Sequence, residues 1–241
     1  MWRDFAEAPA IVAARRGTTK GALVQTNGVG KNETTTSHGS SGVDVTPPPE
    51  RIGELAEACV RFVERAIGVK LDYQAETLSL LDHYLEEGRK AAREKPETAA
   101  LVAHAAGAYF GEVVRRRHAS WWRAEGDNPA FYRIELESAY LSFSPVQLMA
   151  DALLRVDRTE EEEKDKEEED PSERLELEEE DRDAVAQRLA ELPPVSDREF
   201  YAPSTRLEVI DIAIEAIRAR RMGDGDQADD ALRPEDYDET T

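Results

Sequence analysis

One cysteine, few lysines, no long apolar run and no recognisable catalytic or ligand-binding set at working spacing are the shortages that bound this sequence. With Cys59 alone among 241 residues, no internal disulfide can form and no cysteine-based zinc site can be assembled. A reducing, cytoplasmic setting is the simplest inference. No stretch approaches the ~18 apolar residues of a membrane helix, so no membrane association is expected. The N-terminus fails as a secretion signal, because Asp4 and Glu7 follow Arg3 closely and Pro9 breaks the apolar run. The chain reads as a soluble protein. Arginine outnumbers lysine roughly threefold and alanine is abundant, as in proteins from GC-rich bacterial genomes.

What the chain has in excess is acid. The net charge is -21, but residues 157–183 hold 17 acids against 5 bases and 223–241 hold 8 against 1, leaving the remainder near -2. The folded part is therefore almost neutral and the acidity belongs to appendages. Residues 1–46, rich in Gly, Thr, Ser and Asn, bury too little to offset their ordering entropy and read as a disordered leader. The expected organisation is a core over 47–156, an acidic low-complexity insertion over 157–183, helices over 184–222 that complete the same domain, and a disordered acidic tail over 223–241.

Within the core, Pro47-Pro48-Pro49 opens a helix from about Glu50 to Ile67, where Ile52, Leu55, Cys59, Phe62, Val63 and Ala66 recur at helical spacing and Gly68 stops the run. Asp72 is the expected N-cap of a second helix with the stripe Leu78, Leu81, Tyr84 and Leu85. A third helix begins at Pro96-Glu97 and ends at Arg115-Arg116-Arg117, where the basic residues complement its dipole. Its apolar surface is wide, which places it centrally, and Gly107 and Gly111 allow close approach by another backbone. The period then changes from 3.6 to 2. Ser120–Ala124, Phe131–Glu137 and a run through Leu141 and Phe143 read as a three-stranded antiparallel meander, with Tyr132, Ile134 and Leu136 facing helices and Arg133, Glu135 and Glu137 facing water. Ser144-Pro145-Val146-Gln147 predicts a capping box and a fourth helix.

Beyond the insertion, a short helix over Ala184–Leu192 stops at Pro193-Pro194, and Phe200-Tyr201 reads as an edge strand. Thr205-Arg206-Leu207-Glu208 predicts a second capping box, opening a helix with the stripe Leu207, Ile210, Ile214 and Ile217. The fold class is α+β, with three N-terminal helices, the meander, and C-terminal helices packed on one sheet face.

The chemistry is sparse. Gly28-Val29-Gly30-Lys31 has Asn32 where a phosphate loop needs Ser or Thr, and Gln25 where it needs glycine. Asn32-Glu33-Thr34 matches a glycosylation acceptor without a secretion signal to make it meaningful. His83 and Glu87, four apart on a helix, are too few for a metal centre, and no cofactor or metal is expected. Glu112, His104 and His118 are the only acid-base candidates, and no partner for them is visible in the sequence. Trp121 and Trp122 are adjacent on one strand and so point to opposite faces; one should enter the core while the other lies beside Tyr140 on the exposed side. Trp121, Trp122, Tyr140 and Arg133 are thus the candidate binding residues for a protein partner. Arg115, Arg116, Arg117 and Arg123 form a basic cluster, but no nucleic-acid module accompanies it and direct nucleic-acid binding is not expected.

The run Gly107-Ala108-Tyr109-Phe110-Gly111-Glu112-Val113-Val114, followed by Trp121-Trp122, the strand at Tyr132–Leu136 and the Ser144-Pro145 helix start, resembles uncharacterised bacterial α+β domains in which a GAYxGEV helix precedes a Trp-bearing strand. The resemblance covers roughly residues 50 to 155 and implies no established activity; some such domains are similar to small immunity or regulatory proteins. Three functions follow as expectations. The first is a non-enzymatic protein-interaction module. The second is an enzyme using Glu112, His104 or His118 between the third helix and the sheet. The third is an acidic binder of basic proteins.

Overall fold

Ile52, Cys59 and Val63 lie on one stripe and are fully buried in α1 (Glu50–Ile67), which a left-handed Gly68 at φ 81° terminates. The computed structural model describes residues 47–155, 172–193, 195–223 and 231–238. The leader, its phosphate-loop-like turn and the glycosylation match lie outside the described residues. Helices α2 (Leu78–Glu94) and α3 (Pro96–Arg117) follow, then strands β1 (Ser120–Arg123), β2 (Arg133–Leu136) and β3 (Leu141–Phe143). Next come α4 (Pro145–Leu154), β4 (Glu176–Leu177), α5 (Glu179–Ala190), α6 (Asp197–Phe200) and α7 (Pro203–Gly223). The fold is α+β: seven helices and one antiparallel sheet in the order β1-β2-β3-β4 among the described residues.

The central place of α3 follows from its glycines. A Cβ built on Gly107 would lie 2.6 Å from Val146 Cα, and one built on Gly111 would strike the ring of Trp122. Bare backbone at these two positions, one turn apart on the same face, lets α3 receive both the start of α4 and the inward tryptophan of β1. Packing around this axis buries Tyr109, Phe110, Val113 and Val114 of α3 with Ile134, Leu136, Leu141 and Phe143 of the sheet.

Several expectations change in contact with the structure. The sheet has four strands, not three: Leu141 pairs with Leu177 and Ser142 with Glu176, so β4 comes from within the expected acidic insertion. The alternating Leu175 and Leu177 are both buried, and Arg174 reaches Asp151 of α4 at 2.8 Å. Asp72 does not cap α2. Its Oδ1 accepts from the Gln74 amide at 3.0 Å and the Thr77 hydroxyl at 2.8 Å, forming a turn that leads through a 3₁₀ helix at Ala75–Thr77. Strand β2 is shorter than expected because Phe131 belongs to a 3₁₀ turn at Pro129–Phe131.

Ser144 caps α4 through Gln147 N, but the Gln147 side chain donates to Ala130 O instead of closing a capping box. Phe200 ends a helix rather than forming an edge strand, because Ser196 and Glu199 make a reciprocal capping box that starts α6. Thr205 does not open the last helix either. Pro203 takes the first turn, and Asp82 of α2 receives both Ser204 N (3.0 Å) and Ser204 Oγ (2.6 Å). Finally, residues 231–238 of the expected disordered tail are folded, with a 3₁₀ helix at Pro234–Tyr237. Glu179 to Asp183 of the expected insertion belong to α5, while residues 157–171 of the insertion and 224–230 and 239–241 of the tail lie outside the described residues.

Replacing Gly107 by Ala is expected to cost about 3 kcal/mol, because the obstructing atoms are helix backbone and cannot swing aside. A urea midpoint lowered without a change in slope checks it.

Candidate interaction face

Strand alternation puts Trp121 and Arg123 of β1, Arg133 and Glu135 of β2, Ser142 of β3 and Glu176 of β4 on the side of the sheet facing away from α3. The sequence suggests a wet face here. Instead Glu135 is 0 % exposed and Ser142 1 %. A carboxylate is buried only when partnered, and Glu135 is: Oε2 accepts from Trp121 Nε1 at 2.7 Å and Oε1 from Arg123 Nε at 2.6 Å, with Arg133 at 3.5 Å. Arg133 also reaches Glu176 Oε2 at 3.1 Å, and the Ser142 hydroxyl donates to the same oxygen at 2.6 Å.

Over the end of this face lies the C-terminal segment. The Tyr237 ring stacks on Tyr140 at 4.4 Å and 13°, and meets Trp121 edge-on at 5.8 Å and 87°. Its hydroxyl sits among main-chain groups of the β2–β3 turn, accepting from Leu141 N at 3.0 Å and facing the carbonyls of Leu136 (2.9 Å), Ala139 (2.9 Å) and Leu141 (3.2 Å). Leu232 N donates to Glu137 O at 2.8 Å. Arg123, aligned by Glu135, extends its two terminal nitrogens to Asp238 Oδ1 and Pro234 O, both at 2.7 Å. Burial pushes the Tyr237 phenol well above its ordinary pKa. Beside the face a cleft of about 410 Å³ is lined by Arg123, Arg133, Phe143, Gln147, Arg174 and the exposed Phe131.

The candidate residues from the sequence divide cleanly. Trp121 and Tyr140 both meet the Tyr237 ring, and Arg133 shares the face of Trp121 through Glu135 and Glu176. Trp122 is turned to the opposite side, where its Nε1 donates to Glu112 at 2.8 Å. Glu112 also pairs with Arg115 at 2.7 Å, both nearly inaccessible, so this carboxylate is committed to joining α3 to β1. His118 and Arg117 both bond Asp211 of α7, at 2.7 Å and 2.9 Å. Burial alone would push the Asp211 carboxyl up, and these hydrogen bonds outweigh it and hold it below its ordinary value. His104 is half-buried on α3, and burial depresses its pKa. No hydrogen bond or ion pair joins any two of Glu112, His104 and His118 among the described residues. His83 is exposed, and no group of three potential metal ligands occurs among the described residues. Cys59 is buried, and burial pushes its thiol up.

Tyr237, Glu135 and Arg123 are missing from the sequence-based candidates. A signal for the first existed: Tyr237 is the only aromatic residue after Tyr201, an anchor in an otherwise polar run. Compared with protein-family models, curated proteins and solved structures, the chain finds no match.

Two measurements probe this assembly. Glu135→Gln should destabilise by about 2–3 kcal/mol, less than a fully enclosed pair would lose because Arg123 reaches solvent; the denaturant midpoint reads it. Because docking holds Tyr237 neutral above a free tyrosine's pKa, docking is at full strength below about pH 10 and is lost as pH climbs towards the docked value. Trp121 fluorescence should therefore change with alkaline pH in the wild type beyond the change seen in Tyr237→Phe.

Proposed function

We propose that the chain is a non-enzymatic protein-interaction module whose outer sheet face, built from Trp121, Tyr140, Arg123 and Arg133, contacts a protein partner. The observation that carries this reading is that the face already holds a peptide: an eight-residue acidic segment of the chain itself is seated on two aromatic rings and an aligned guanidinium. Rigid aromatic rings and arginine are the side chains on which interface energy concentrates.

The acid-base reading draws less support, because Glu112, His104 and His118 are separately engaged or isolated and share no bond. The arginine cluster is also occupied: Arg115 pairs with Glu112, Arg116 lies 4.0 Å over the Tyr73 ring, Arg117 holds Asp211 and Arg123 holds Glu135. Phosphate contacts would have to displace these partners, which disfavours direct nucleic-acid binding. No described helix is long and apolar enough to cross a membrane. The cytoplasm, inferred from the single cysteine, remains the proposed location.

A photo-reactive residue at Ser138, on the rim of the face, tests the proposal in cells that make the protein. A discrete protein adduct is expected that disappears in Trp121→Ala or Tyr140→Ala and persists in Lys90→Ala, an exposed change on α2. Adducts indifferent to Trp121→Ala would overturn it.

A further inference from the structure

The segment 231–238 is attached to this face in a way that suits replacement. Of its eight residues only Tyr237 is buried and Leu232 half-buried; the other six are exposed. Its hold consists of one aromatic anchor whose hydroxyl bonds the main chain of the β2–β3 turn, one main-chain bond at Glu137 and two bonds from Arg123. The receiving groups are built by other elements. Arg123 is aimed outward by its bond to Glu135, Tyr140 belongs to the β2–β3 turn, and the phenol niche is made of main-chain groups of residues 136–141. So small an interface binds weakly as a free peptide. Because the segment belongs to the same chain as the face, it competes with a free peptide at an effective concentration on the order of millimolar.

Resting on the interaction reading above, we propose that this face is a receptor for a partner's short acidic tyrosine-bearing segment, and that residues 231–238 are a tethered occupant which that segment displaces. The chemistry of the ligand follows from the groups that meet it. An aromatic ring must fit between Tyr140 and Trp121, a single hydroxyl proton is shared among three carbonyls, and an acidic residue directly after the tyrosine meets Arg123, as Asp238 does. Three carbonyl oxygens around the phenol oxygen would oppose a phosphate dianion. The face therefore selects tyrosine over phosphotyrosine.

The test uses the full chain, its Tyr237→Ala variant and a fluorescein-labelled octapeptide with the sequence of residues 231–238, followed by fluorescence anisotropy. The peptide should bind Tyr237→Ala saturably and bind wild type about tenfold or more weakly, because the tethered copy competes. A phosphotyrosine peptide should not bind, and adding Trp121→Ala to Tyr237→Ala should abolish binding. Should Tyr237→Ala lose the parent's circular dichroism, Asp238→Arg, which sets a like charge against Arg123, replaces it with the same expected order.

Equal affinity for wild type and variant, or equal affinity for the phosphorylated peptide, overturns the inference. So does self-association of the wild-type chain at concentrations below those at which the peptide binds, since a second copy would then be the occupant. If the peptide binds neither chain while Trp121→Ala still removes the cellular adduct, this inference falls and the interaction module stands; loss of both sinks both.

Discussion

The close approach of α3 to its neighbours is the constraint on which the rest of the molecule depends. Gly107 leaves room for the Val146 backbone at the start of α4, and Gly111 leaves room for the Trp122 ring. That ring donates to Glu112, one residue along α3, and Glu112 is held in turn by Arg115. A hydrophobic contact and a buried polar bond thus fix the same strand at the same point. Fixing Trp122 inward turns Trp121 and Arg123 outward, since neighbouring residues of a strand alternate. The outer face is therefore set by a packing choice made inside the core.

The two sides of the sheet solve different problems. The inner side buries Ile134, Leu136, Leu141 and Phe143 against helices and gains from apolar area. The outer side is closed by charge: Glu135 lies under Trp121 and two guanidiniums, and Arg133, Ser142 and Glu176 extend the network across three strands. Such a network is costly when incomplete and rigid when satisfied. Rigidity here means that Arg123 is held by Glu135 in the position from which it meets Asp238 and Pro234. The same device recurs at the far end of the chain, where Asp181, without accessible surface on α5, is held by Arg220 and Arg221 of α7.

What could be read from the sequence was whatever local pattern dictates. The stripe of α1, the proline start and basic end of α3, the switch to strand periodicity after Arg117 and the Ser144-Pro145 start of α4 all reflect neighbours within a few residues. Contacts across long separations were illegible. The cap of α7 comes from Asp82, 122 residues from Ser204, so a closer candidate at Thr205 looked better. Strand β4 is two residues long in a run of acids, and only the alternation of Leu175 with Leu177 betrays it. The placing of Trp121 near Tyr140 was visible in the strand alternation, whereas Tyr237, the ring that meets both and lies nearly a hundred positions from Tyr140, was hidden by the acids around it.

The phenol niche at the β2–β3 turn is completed by a residue that is made 96 positions after the turn itself. The Leu141 amide and the carbonyls around it are paired with an atom 96 positions downstream, so the hairpin is translated long before its partner exists. Until then the turn must be hydrated or bonded to something else. A nascent chain accordingly carries this turn uncovered, and its main-chain groups exchange water for the phenol only once residue 237 has been made.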